Sequence, residues 1–112
     1  MQTIAELPEF MRRAERLLGP SERHALLLHL AERPKAGVLM QGAGGIRKLR
    51  WARGGSGKSG GVRVVYYFHS EQMPLYVLTV FGKGEKANLS KAERNELAGL
   101  VKLLVRAWES RK

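Results

Sequence analysis

The segment Ile46-Arg-Lys-Leu-Arg-Trp-Ala52 alternates apolar and basic residues. In an extended strand that alternation puts Lys48 and Arg50 on one face and Leu49 and Trp51 on the other. Arg63 stands among valines in Val62-Arg-Val-Val-Tyr-Tyr-Phe68. A charge in so apolar a strand is costly unless it finds a partner or a solvated face. Two placements are open: Arg63 pairs with an acid such as Glu85, or it projects from an open sheet face beside Lys48 and Arg50. Lys83 and Lys86 follow a third apolar run and extend the same cluster. Tyr66 and Tyr67 supply one inward and one outward ring. An outward ring beside Arg or Lys is where an unstacked RNA base can stack, although either ring alone fits a core equally well. The chemistry these residue types suit is the binding of phosphate and the stabilisation of charge that develops on it.

The charge distribution agrees. Twenty Lys and Arg against ten Asp and Glu give a net charge of +10 over 112 residues. Residues 44–63 carry Arg47, Lys48, Arg50, Arg53, Lys58 and Arg63 and no acid, so +6 of that excess lies in a short stretch. Such a balance indicates polyanionic partners, nucleic acid first among them, or at its simplest a solvated basic loop.

Other chemistries are poorly supported. The chain has no cysteine, which excludes disulfides, thiolate zinc sites and cysteine nucleophiles. Gly54-Gly-Ser-Gly-Lys-Ser59 is not a phosphate loop: the position five before Gly57 is Ala52, and a strand rather than a helix follows. Gly42 and Gly44 lack the third glycine of a dinucleotide fingerprint, because position 47 is Arg. His24 and His29 are five apart on a helix, off metal-ligand spacing, and His69 is a strand-end histidine with a possible proton-transfer role. No metal and no cofactor is expected. No apolar run approaches the roughly 18 residues of a membrane span, and the N-terminus lacks signal-peptide character, so a cytoplasmic protein without a membrane partner is expected.

The elements that would position these residues can be read along the chain. Residues 2–7 form a weak edge strand. Pro8 opens a helix carrying Phe10, Ala14, Leu17 and Leu18, which Gly19-Pro20 stops. Ser21 is placed as the N-cap of a second helix with Ala25, Leu26, Leu28 and Leu30, ended by Pro34. A loop over 35–45 leads to strands over 46–52, 62–68 and 75–81, whose short connections favour antiparallel pairing. Ser90-Lys-Ala-Glu93 is a capping box, followed by Leu97, Leu100, Val101, Leu104 and Trp108 on one stripe of a helix running to about residue 109. The expected architecture is a single α+β domain over residues 1–112: an antiparallel β-sheet, an N-terminal helical hairpin and a C-terminal helix, with the helices on one face.

Three stretches resemble the RelE/ParE superfamily of toxin–antitoxin toxins, most of all its HigB-like branch. They are Gly44-Gly-Ile-Arg-Lys-Leu-Arg-Trp-Ala-Arg53, Lys58-Ser-Gly-Gly-Val-Arg-Val-Val-Tyr-Tyr67 and Phe81-Gly-Lys-Gly-Glu-Lys-Ala-Asn-Leu-Ser90. The resemblance spans roughly residues 40–105 and implies a small twisted antiparallel sheet with two N-terminal helices and one C-terminal helix. It also implies a ribosome-dependent, metal-independent endoribonuclease that cuts messenger RNA. In such enzymes the 2′-hydroxyl of the RNA attacks the adjacent phosphate. By position, the resemblance makes Lys48, Arg50, Arg63 and Lys83 the catalytic group. Arg63 and Lys83 would stabilise phosphate charge, and Lys48 or Arg50 would position or activate the 2′-hydroxyl. Arg47, Arg53, Lys58, Tyr67 and Lys86 would bind RNA. The chain departs from some members near Asn88-Leu89, where they carry a tyrosine. Glu85, His69 and Tyr67 therefore stay open as base, acid or stacking residue. The resemblance further implies a cognate antitoxin, commonly of helix-turn-helix type. Two other readings remain: a ParE-like toxin that poisons gyrase, and a non-catalytic RNA- or ribosome-binding module.

Overall fold

A computed structural model of the chain describes residues 1–52, 61–86 and 88–111. Arg53 and Lys58 lie outside the described residues. The elements run β1 (Ile4–Glu6), α1 (Pro8–Leu17), α2 (Pro20–Glu32), β2 (Val38–Leu39), β3 (Ile46–Trp51), β4 (Val62–Tyr67), β5 (Leu75–Gly82) and α3 (Lys91–Ser110).

The strands form one sheet in the order β1-β5-β4-β3-β2. Strands β2 to β5 pair antiparallel, which for β3, β4 and β5 was expected from their short connections. β1 pairs parallel with β5, so the sheet is mixed rather than antiparallel. The chain between β1 and β5 passes through both helices and three strands, and so long a connection does not impose a hairpin. β2 was not expected. Its Val38 and Leu39, both exposed, sit opposite Lys48 and Arg47, and two residues cannot display an alternation.

The helices cover both faces of the sheet, not one. On one side Phe10, Ala14 and Leu18 join Leu26 and Leu30 of α2 over Val62, Val64, Tyr66, Val77 and Val80. On the other, Val65, Tyr67, Leu78 and Phe81 pack with Val101 and the α3 stripe of Leu97, Leu100, Leu104 and Trp108. All six residues of β4 are buried. A strand buried on both faces is apolar almost throughout, and that pattern was present in Val62–Tyr67. Between Val65 and Tyr66 the pairing with β5 jumps from Thr79 to Val77. The extra residue, Leu78, makes a bulge that turns both Leu78 and Thr79 toward α3.

The caps are local in origin. Pro8 opens α1, and its Glu9 pairs with Arg12 and with Arg13 at 2.6 Å. The N-cap of α2 is Gly19 rather than Ser21. Pro20 fits the first helical position, where its missing N–H is no loss, and the Glu22 carboxylate accepts from the Gly19 amide at 3.0 Å. In α3 the capping box forms as expected: Glu93 N–H donates to Ser90 Oγ at 3.1 Å, and Ser90 N–H donates to Glu93 Oε1 at 2.8 Å.

Candidate nucleic-acid interface

The α3-side face of β3 and β4 carries the cations. Arg50 lies directly opposite Arg63 across the antiparallel pair, and Arg63 lies opposite Phe81 on β5. Lys48 shares the row of Val65 and Thr79. Side chains directly opposed in this way have Cβ atoms about 5 Å apart. An anion above the Arg50–Arg63 pair would meet positive side chains from both strands.

The four cations differ in exposure. Arg50 is exposed, Lys48 is half-buried and Lys83 is exposed. Arg63 is only 5% exposed, so it is buried in a face expected to be open. Elsewhere on that face α3 packs over Val65, Tyr67, Leu78 and Phe81. Glu85, one expected partner for Arg63, instead accepts from the Gly82 amide at 2.7 Å and meets Arg13 and Arg16 of α1 at 3.5 and 3.3 Å. The Gly82 hydrogen bond, aided by Arg13 and Arg16, holds the Glu85 carboxyl below its ordinary range. A carboxylate so stabilised is a poor proton donor near neutrality.

The turn after β5 closes the cluster. The Lys83 amide reaches the Gly61 carbonyl at 3.5 Å, which places this turn at the Arg63 end of β4. Lys86 sets its ammonium 5.1 Å from the centroid of Phe81, the residue opposite Arg63, and 2.6 Å from Glu93 Oε2. The Glu93 carboxyl is held low first by that Lys86 contact and then by the Ser90 amide. Lys48 Nζ donates to Asn88 Oδ1 at 3.2 Å. One end of the sheet thus gathers Lys48, Arg50, Arg63, Lys83 and Lys86.

Two expected members lie elsewhere. Arg47 is on the opposite face of β3, where its Nη1 donates to the Gly37 carbonyl at 2.8 Å. This follows from alternation, since Arg47 is out of phase with Lys48 and Arg50. Tyr67 is on the α3 side but four residues from Arg63, about 13 Å along the strand. Its ring is not outward: it is 8% exposed, packs beneath α3 and takes part in a hydrogen bond with His69 Nδ1 at 3.0 Å. Burial raises its phenol pKa above the ordinary value, and Glu109 adds to the effect. Tyr67 is therefore a core residue and not a platform for a base, and His69 lies at the same far end.

Asn88 and Phe81 join the cluster without having been singled out. Phe81 was not legible, because plain alternation groups it with Leu75 and Val77, and only the bulge at Leu78 turns it to the row of Arg63. Nor was Asn88, since only the turn geometry brings it to Lys48. Among the described residues no three His, Asp or Glu side chains converge as a metal site. No helix among them is long and apolar enough to cross a membrane.

A five-stranded mixed sheet flanked by two N-terminal helices and one C-terminal helix is the RelE-like α+β fold. The chain is similar to a doubly substituted E. coli toxin RelE in the free state, with a TM-score of 0.59 and 20% sequence identity. The match covers 85% of this chain and 95% of that one, and at this identity it is a likeness of fold. The chain belongs to the RelE toxin family: the model described as the RelE toxin of the RelE/RelB toxin–antitoxin system matches residues 23–111.

Proposed function

We propose that the chain is the toxin of a type II toxin–antitoxin pair and acts as a ribosome-dependent endoribonuclease on messenger RNA, so arresting translation. The observation that carries this reading is the opposition of Arg50 and Arg63 on neighbouring strands, with Lys48, Lys83 and Lys86 at the same end of the sheet. Opposed arginines with lysines on the same face and in the adjoining turn suit a phosphate that gains charge during reaction.

In the proposed reaction the 2′-oxygen attacks the adjacent phosphorus while the P–O5′ bond breaks. The products are a 2′,3′-cyclic phosphate and a free 5′-hydroxyl. The 2′-hydroxyl proton leaves to a base, and the 5′-oxygen gains a proton from an acid. Arg63 and Lys83 stabilise the charge on the phosphoryl oxygens. Lys48 or Arg50 orients the 2′-hydroxyl for in-line attack. Lys86 holds the RNA backbone. No metal or cofactor enters this scheme. The resemblance of residues 44–53, 58–67 and 81–90 supports a HigB-like branch assignment, a cytoplasmic location and a cognate antitoxin of helix-turn-helix type.

A cleavage map tests the proposal. Purified protein is mixed with a defined message, with and without programmed ribosomes, and new 5′ ends are located by primer extension. Cuts in register with codons, present only with ribosomes, are expected. Intact message in both arms, with growth arrest retained, removes the nuclease reading and points to gyrase.

A further inference from the structure

A second basic cleft of about 870 Å³ opens on the α2 side of the sheet, at the end of β3 away from Arg50. It is lined by His29, Arg33, Lys35, Arg47, Phe68 and His69. Its volume is in the range of ligand sites, roughly 300–1,000 Å³. Three permanent cations face a single carboxylate, Glu71.

The cleft is built, not incidental. The Tyr66 hydroxyl donates to the Pro34 carbonyl and accepts from the Gly37 amide, both at 2.8 Å. Arg47 donates to the carbonyls of Gly37 at 2.8 Å and Lys35 at 3.4 Å. A Cβ at Gly37 would stand 2.8 Å from the Tyr66 ring, so the loop can lie this close only because the residue is glycine. Two side chains from the sheet thus pin the 34–37 loop and aim Arg33 and Lys35 into the cleft.

We propose that this cleft is a second binding site for single-stranded nucleic acid, separate from the strand held at the Arg50–Arg63 cluster. Cations interleaved with flat rings suit a single strand, whose phosphates meet Arg33, Lys35 and Arg47 while a base stacks on Phe68 or an imidazole. An acidic peptide would use the cations but not the rings. The proposal extends the RNA-directed reading above, and it needs no cleavage.

Binding of a labelled 2′-O-methyl RNA of about three nucleotides, short against the 45 Å length of the molecule, tests it by titration at low salt. The full chain is expected to take up two oligonucleotides. The exposed double substitution Arg33→Gln/Lys35→Gln is expected to take up one. Lys35→Gln alone should lower the slope of log affinity against log salt at this site by about 0.7, the value for one phosphate contact on a single strand. Arg50→Gln should weaken the other site and leave this one. Equal uptake of DNA of the same sequence assigns the contact to phosphate and stacking, and preference for the 2′-O-methyl RNA adds a contact to the ribose 2′-oxygen; both sustain the proposal. One oligonucleotide on the unsubstituted chain overturns it, as do two on the double variant. So does a cleft that takes up an oligoglutamate peptide but no oligonucleotide. Loss of cleavage with this site intact would touch only the nuclease reading.

Discussion

Arg50 and Arg63 face each other across the antiparallel pair of β3 and β4, one exposed and one 5% exposed. Like charges directly opposed on a sheet destabilise it, by about 0.2–1 kcal/mol in magnitude. Under the proposed function this arrangement trades stability for phosphate binding. Arg50→Gln is accordingly expected to raise the urea midpoint slightly at low salt and to leave it nearly unchanged at high salt, where exposed charges are screened. Chemical denaturation at two ionic strengths measures this.

Gly61 sets the geometry of that pair. It has φ +63°, and a Cβ there would stand 2.1 Å from the Trp51 carbonyl oxygen and 2.7 Å from the Ala52 Cα. Neither backbone atom can yield without moving the end of β3. Gly61→Ala is expected to lower stability by more than about 1 kcal/mol, and to disturb Arg50 and Arg63 together. Thermal unfolding, read alongside amide exchange at β3 and β4, tests both parts.

Tyr66 ties the 34–37 loop to the sheet. Burial raises its phenol pKa above the ordinary value, outweighing the opposing Gly37 hydrogen bond. The hydroxyl is neutral at physiological pH and serves as donor and acceptor at once. Tyr66→Phe leaves the Gly37 amide and the Pro34 carbonyl without this partner, and a loss of about 1–3 kcal/mol is expected. A change under about 0.5 kcal/mol on equilibrium unfolding would contradict the role assigned to this hydroxyl.

Glu9, Glu85 and Glu93 all have carboxyl pKa values held below the ordinary glutamate value. The leading causes are Arg13, the Gly82 amide and Lys86, respectively. Each folded-state pKa is depressed, so the stabilisation is complete above the unfolded value of about 4.3 and is lost as pH falls through the folded value. The urea midpoint is expected to be flat from neutrality to about pH 5 and to decline below about pH 4.3. Glu93→Gln should flatten part of that decline. An unchanged acid limb would mean that the Lys86 contact contributes nothing in solution.

Much of this fold is written in local patterns. The capping box at Ser90 and the Leu97–Trp108 stripe fix α3, and the alternation in Ile46–Trp51 correctly sorts Lys48 and Arg50 from Leu49 and Trp51. What escaped is what depends on distant packing. The parallel pairing of β1 with β5 joins residues some seventy positions apart. The docking of α3 onto the face of Arg63 leaves no trace in strand periodicity, and that docking buries Tyr67 as well. Arg47 is basic and adjacent to Lys48, so charge grouped it with the cluster while parity set it on the other face. The second cleft combines α2, a loop and two strand ends, and no spacing rule connects those segments.

Under the proposed function the cations of β3 and β4 act on the phosphate as it reacts. Single-turnover cleavage on programmed ribosomes tests it, with ribosome affinity measured separately. Arg63→Lys and the exposed Arg50→Gln are compared with the unsubstituted chain, their folding checked by thermal unfolding. The account predicts a cleavage rate at least about 100-fold lower for Arg63→Lys, the loss typical of one removed charge-stabilising donor. It predicts a smaller loss in the same direction for Arg50→Gln, with affinity in both changed much less than rate. Folded variants that cleave at the unsubstituted rate would contradict it.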